Sequence, residues 1–210
     1  MANPSVTVEQ FFKLHGDTLQ MRLVAGESGL KRVIREPTVN RPGLALSGFT
    51  QYFAYKRVQV FGHAEFFYLR SLSAKQRESR YAYLFAYKIP CVVFSRALKP
   101  DKEFLAAIEK AGVPVFQSPL VTMAFINAAT LELENMFAPR GTEIGSMVDI
   151  LGVGVIIRGD SGIGKSEAVL ALIERGYSLV SDDVTKVTLV GGRDVMGTGS
   201  DLTRNHMEIR

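Results

Sequence analysis

Eight consecutive residues, Gly159-Asp160-Ser161-Gly162-Ile163-Gly164-Lys165-Ser166, fit a pattern of glycine, four spacers, glycine, lysine and serine that cradles phosphate groups. Glycines lack a Cβ, so successive backbone amides can turn inward and approach phosphate oxygens, and the N-terminus of a following helix adds an oriented positive dipole. Lys165 then supplies a point charge to the outer phosphates, and the Ser166 hydroxyl stands where it can ligate Mg2+. Binding alone is not chemistry: a carboxylate from a neighbouring strand must orient the metal or accept a proton. Asp182 and Asp183 fit, at the end of the short strand Tyr177-Ser178-Leu179-Val180-Ser181, which follows the loop's helix after Gly176. One of the pair is suited to orient Mg2+ or its water, the other to take a proton from an incoming hydroxyl.

The remaining chemistry-bearing residues read more plainly. His15 and His63 each have an acid two residues on, Asp17 and Glu65, but no nearby cysteine or second histidine, so both are expected to be structural. Cys91, the single cysteine, sits beside Val92, Val93 and Phe94 as a small core residue. Phe49, Tyr52, Phe53, Tyr55, Phe66, Phe67, Tyr68, Tyr81 and Tyr83 mostly show helical spacing, which favours core and domain interface over base stacking. Gly152-Val153-Gly154 lacks the third glycine of a dinucleotide fingerprint and is expected to lie inside a strand for close packing. Taken alone, Asn205 to Arg210 reads as a polar tail.

These residues need a scaffold, and the pattern predicts one. Thr7-Val8-Glu9-Gln10 is a capping box before a short helix closed by Gly16. Residues 21–24 and 31–34 flank Gly26-Glu27-Ser28-Gly29 as a hairpin, and Asn40-Arg41-Pro42-Gly43 is a turn. Arg57 to Phe61 alternates as a strand. It is followed by helix over 64–72 and 81–88, strand at 91–94, a helix capped by Asp101, strand at 113–116 and a long helix over 120–136. Ala138-Pro139-Arg140-Gly141 ends that helix. Met147 to Ile157 reads as one apolar strand leading to the phosphate loop, and 186–190 with 193–196 as a hairpin around Gly191-Gly192. The expected fold class is α/β. An N-terminal α/β domain over 1–136 with a mixed or largely parallel sheet precedes an incomplete phosphate-loop domain over 137–210.

At 210 residues with 47% hydrophobic and 22% charged side chains, the composition is that of a chain able to bury a full core. The net charge of +4 is lopsided: +6 over residues 1–135 and −2 over 136–210. The basic excess is scattered rather than gathered into a run, with no zinc-finger spacing or aromatic RNA-binding signature, so no nucleic-acid partner is expected. No apolar stretch approaches the roughly 18 residues of a membrane span, and the first residues lack the features of a secretory signal. A cytoplasmic protein is expected.

The ordered set Gly159 to Ser166, Glu167, Arg175-Gly176, Asp182-Asp183 and Met207-Glu208-Ile209-Arg210 closely resembles the HPr kinase/phosphorylase family of bacteria. Asn40-Arg41-Pro42-Gly43 and Arg57-Val58-Gln59-Val60 resemble that family's N-terminal domain, so the likeness runs along essentially the whole chain. It implies a bifunctional enzyme. A serine on the phosphocarrier HPr is phosphorylated by ATP or pyrophosphate, and inorganic phosphate removes that phosphoryl group by phosphorolysis. It also implies Mg2+ and a homohexamer. By position, Gly159 to Ser166 would bind nucleotide, Lys165 would be catalytic, Ser166 and Glu208 would hold Mg2+, and Asp183, with Asp182 beside it, would exchange the serine proton.

Two departures qualify the likeness. Ile144-Gly145 stands where the family commonly has histidine and glycine, and isoleucine neither transfers protons nor binds phosphate, although Glu143 is adjacent. The family also continues past the segment that ends here at Arg210, through a further catalytic arginine, so a truncated chain is expected. The competing readings are a phosphate-loop kinase for a small metabolite and a non-catalytic module that senses nucleotide or phosphate.

Overall fold

The computed structural model describes residues 5–199, which divide between Phe137 and Ala138 into two compact units. The first contains, in order, β1 (Val6–Thr7), α1 (Val8–His15), β2 (Arg22–Ala25), a 3-10 turn (Glu27–Gly29), β3 (Val33–Ile34), β4 (Val39–Asn40) and α2 (Gly43–Ser47). It continues through β5 (Val58–Phe61), α3 (His63–Ser71), α4 (Ala74–Ala86), β6 (Val92–Phe94), α5 (Lys102–Ala111), β7 (Val115–Gln117) and α6 (Thr122–Phe137).

Its five-stranded sheet runs β2-β7-β6-β5-β4, parallel throughout except for the antiparallel edge strand β2. The period of two along each strand divides the core. Val58, Val60, Val93 and Phe116 join Phe11, Phe125 and Leu133 of α1 and α6, whereas Phe61, Val92, Phe94 and Val115 join Tyr81, Phe104 and Ile108 of α4 and α5. Helices on both faces explain why the polar position in β5 faces no solvent. Gln59 is fully buried, donating from Nε2 to Arg57 O at 2.7 Å and accepting from Asn40 Nδ2 at 2.8 Å.

Local chemistry sets the helix ends. Thr7 caps α1 by accepting from the Gln10 amide at 3.1 Å while Gln10 returns the bond, and Asp101 caps α5 by accepting from the Phe104 amide at 2.7 Å. Arg41 clamps the buried Glu65 carboxylate with bonds of 3.1 and 2.8 Å. His15 is structural, its Nδ1 3.1 Å from Glu132 rather than paired with Asp17.

Three expectations fail in this unit. Residues 21–34 are not a hairpin: β2 pairs with β7 and β3 with β1. A Cβ on Gly26 would lie 2.0 Å from Val113 O, so this glycine lets the turn pack against the β7 approach instead of closing on itself. Residues 40–43 are a strand-to-helix junction rather than a turn, with β4 ending at Asn40 and α2 beginning at Gly43. Of the aromatics expected in core or domain interface, Tyr81 is buried, Phe67 and Tyr83 are exposed because α3 and α4 each turn only one stripe inward, and Phe49 and Tyr52 are exposed on the segment after α2.

The second unit contains β8 (Arg140–Ile144), β9 (Ser146–Ile150), β10 (Val153–Ile157), α7 (Lys165–Glu174), β11 (Ser178–Ser181), β12 (Val184–Val190) and β13 (Asp194–Thr198). They form two three-stranded sheets, β10-β9-β11 and β13-β12-β8, and the hairpin expected around Gly191-Gly192 is present as β12 and β13. The single apolar strand expected over 147–157 is instead the antiparallel pair β9 and β10. Leu151 and Gly152, at φ 55° and 86°, make the tight turn between them, and Asp149 Oδ1 accepts the Gly152 amide at 2.7 Å. Gly152 therefore lies in a turn with open space around it. Gly154 does pack closely, since its missing Cβ would lie 1.9 Å from the Met147 methyl. Strand β10 is at the sheet edge, with Val153 and Val155 exposed. Among the described residues no helix is long and apolar enough to cross a membrane.

Candidate functional site

The phosphate loop leaves β10 after Arg158 and enters α7 at Lys165. Gly162 and Gly164 take φ of 81° and 98°, a region closed to most residues with a Cβ, and Gly159 is tight, its missing Cβ 2.9 Å from Ile163 Cγ2. Gly164 caps α7 and no side chain bonds to the helix start, so the amides of the first turn stay available to an outside acceptor. Gly159, Asp160, Ser161, Gly162 and Ile163 are all exposed, which leaves the loop's mouth open. Lys165 Nζ folds back to donate to Asp160 O at 2.7 Å, poised over the loop, and Ser166 follows it in the same first turn.

The carboxylates reach the same end of the sheet through topology. Strands β10 and β11 flank β9 and both run antiparallel to it, so they point the same way, and the loop after β10 and Asp182-Asp183 after β11 leave at one edge. The junction Gly145-Ser146 lies between them. Ser146 pairs with Ile157, the last residue of β10, and its hydroxyl donates to Asp182 Oδ1 at 2.7 Å. Gly145, at φ 140°, donates its amide to Asp183 O at 2.7 Å, and a Cβ there would lie 2.7 Å from Ile157 O. Thr185 Oγ1 donates to Gly145 O at 3.0 Å and shares a 2.6 Å bond with Ser181 Oγ.

The two aspartates differ. Asp182 is half-buried, and Oδ1 also accepts the Asp183 amide at 3.1 Å. Asp183 is exposed and left-handed at φ 58°, a state aspartate tolerates better than most residues, and its carboxylate has no hydrogen-bond partner among the described residues. Ile144 is 79% exposed in β8, and Glu143 forms an ion pair with Arg158 at the surface. Glu208 lies outside the described residues.

Among the described residues no group of three or more acids, histidines or cysteines could hold a metal alone. Ser166 and the aspartates are of the right oxygen chemistry for Mg2+. Sequence reasoning missed Ser146 and Thr185; the one signal was a small hydroxyl residue opening an otherwise apolar run at 146–148.

Two family models match, HPr Serine kinase N terminus over residues 6–133 and HPr Serine kinase C-terminal domain over 135–210. The chain belongs to the HPr serine kinase family. The HPr kinase/phosphorylase of Leptospira biflexa is 38% identical over 210 residues, covering 100% of this chain and 65% of that protein. Those of Chloroherpeton thalassium and Brevibacillus brevis are each 40% identical, over 98% and 92% of this chain and 61% and 62% of their own lengths. This member of the family thus spans less than two thirds of these relatives. A crystal structure of the CBS and DRTGG domains of the regulatory region of Clostridium perfringens pyrophosphatase covers 55% of this chain and 44% of its own, at 14% identity and a TM-score of 0.39, too low to carry an argument.

Proposed function

We propose that this chain is the kinase and phosphorylase of HPr, transferring a phosphoryl group from ATP or pyrophosphate to a serine of HPr and returning it to inorganic phosphate. The carrying observation is the joining of an open phosphate loop and a free aspartate at one sheet edge through Gly145 and Ser146. Loop amides and Lys165 grip the donor's phosphates, and Ser166 with Glu208 would hold Mg2+. When bound, that ion offsets the negative charge on the phosphates.

In the forward direction the serine Oγ attacks the terminal phosphorus, the bond from phosphorus to the ADP or phosphate oxygen breaks, and the serine proton passes to Asp183. In reverse, an oxygen of inorganic phosphate attacks the phosphoserine, pyrophosphate forms, and Asp183 returns the proton to the departing serine oxygen. Asp182, anchored by Ser146, keeps the pair in place beside the loop. The protein acts as a homohexamer in the cytoplasm. The deciding experiment incubates the longest natural form with labelled ATP and intact HPr: phosphoserine on HPr supports the reading, and its absence rejects it.

A further inference from the structure

The N-terminal unit contains a cavity of about 560 Å³ at the carboxyl end of β6, a size common to small-molecule sites and a location where α/β sheets bind ligands. Its floor is apolar. Phe94, the last residue of β6, and Phe104 of α5 meet edge to face with ring centroids 5.2 Å apart at its base but are 2% and 1% exposed, so the apolar surface open to a ligand belongs to the half-buried Phe66 of α3 and Pro100.

The rim is cationic. Arg70 lies over the Phe66 ring at 5.5 Å and Lys99 is exposed, and neither forms an ion pair among the described residues. Arg77 is already committed, clamping Glu103 with bonds of 2.7 and 3.2 Å and donating to Leu72 O at 2.7 Å. The one carboxylate of the lining, Asp101, is occupied within the fold: one oxygen accepts the Phe104 amide at 2.7 Å and the other the Tyr81 hydroxyl at 3.0 Å. Two uncommitted cations therefore face a cavity with no uncommitted anion.

The loop that carries Lys99 is built rather than loose. Arg96 and Ala97 both take left-handed backbone, at φ 58° and 53°, a state disfavoured for any residue with a Cβ. Their amides donate to Leu120 O at 2.8 Å and Ser118 O at 2.9 Å, and the buried Gln117 donates from Nε2 to Ala97 O at 2.7 Å and Leu98 O at 2.9 Å. Backbone strain kept in place by surrounding structure, in the loop after a parallel strand, is a mark of a preformed site.

We propose that this cavity binds a small phosphate monoester with a flat apolar body, the ring seated against Phe66 and Pro100 and the dianionic phosphate held between Arg70 and Lys99. Two cations with no ion pair among the described residues match a dianion, and apolar walls match a ring. The site belongs to the N-terminal unit and does not depend on phosphoryl transfer by the other one.

Phenyl phosphate is the probe, titrated into Lys165→Ala protein so that the phosphate loop contributes little, with amide chemical shifts as the readout. Saturable shifts are expected in α3 and residues 94–104, with inorganic phosphate and phenol each binding about tenfold more weakly or worse. Arg70→Glu with Lys99→Glu is expected to weaken phenyl phosphate by a further factor of about ten, with an unchanged melting temperature. Should that protein melt early, the Gln pair at the same positions reports the same loss. No saturable shift in these segments at millimolar probe, equal binding of inorganic phosphate, or undiminished affinity in the folded charge variants overturns the proposal.

Discussion

The Ser146 hydroxyl donates to Asp182 Oδ1 at 2.7 Å, while the backbone of the same serine pairs with Ile157, the last strand residue before the phosphate loop. One residue thus ties an acidic side chain to the strand that aims the loop. Ser146→Ala should keep nucleotide affinity and lower the turnover of HPr phosphorylation about tenfold, as loss of an orienting partner typically does. Steady-state kinetics separate the two, with kcat falling and KM for nucleotide steady. A fall in nucleotide affinity alone would mean that the serine serves the loop instead.

Asp183 is the exposed partner, its carboxylate without a hydrogen-bond partner among the described residues. Asp183→Asn keeps the size and removes the proton acceptor, so transfer should drop by about 10² or more while nucleotide still binds. Labelled ATP with HPr measures the first and equilibrium titration the second. Unchanged transfer would remove Asp183 from the proton-transfer role.

At Ile144, where the family commonly has histidine, the side chain is 79% exposed and ends β8 next to the Gly145-Ser146 junction. Ile144→His should raise phosphorolysis of phosphorylated HPr relative to phosphorylation, by about tenfold or more if the imidazole takes part in proton transfer. The ratio of the two rates, measured on the same preparation, reports it.

Gly164 caps α7 at φ 98° with no side chain helping. Alanine there is strained by about 1 kcal/mol or more, and the strain falls on the loop proposed to hold phosphate. On the proposed function Gly164→Ala should weaken nucleotide binding, while Gly191→Ala, at φ 59° in the β12–β13 turn, should cost only stability. Thermal melts and nucleotide titrations of both variants make the comparison.

Cys91 is fully buried, and that burial pushes its thiol well above the ordinary range. Thiol reagents should therefore label the folded protein only as fast as it opens, and denaturant should restore full reactivity. An unfolded thiol titrates near pH ~8.5. The folded state keeps its proton above that point while the unfolded state loses it, so this residue's contribution to stability falls as pH rises beyond it. Denaturant melts of wild type and Cys91→Ala between neutral and alkaline pH test the difference.

Much of this was legible because it depends on local chemistry. The cap at Asp101 and the capping box at Thr7 and Gln10 act within a few residues and stand as read, and the glycines around Lys165 take the left-handed backbone their type allows. What escaped depends on distant partners. Gly26 avoids Val113 O, far along the chain, so its segment looked like a hairpin. Leu151 adopts a positive φ that its side chain does not advertise, so a turn hid inside an apolar run. Ser146 reads as an ordinary strand residue until β11 delivers Asp182 beside it.

Among the described residues strand β10 meets a neighbour on only one side of its sheet, with Val153 and Val155 exposed. A bare ladder of amides and carbonyls beside branched aliphatic side chains is a template for further strands from other molecules, and no charge along Val153 to Ile157 discourages them. The C-terminal unit handled by itself should be prone to aggregation, and a lysine at Val155 is the substitution chosen to keep it dispersed.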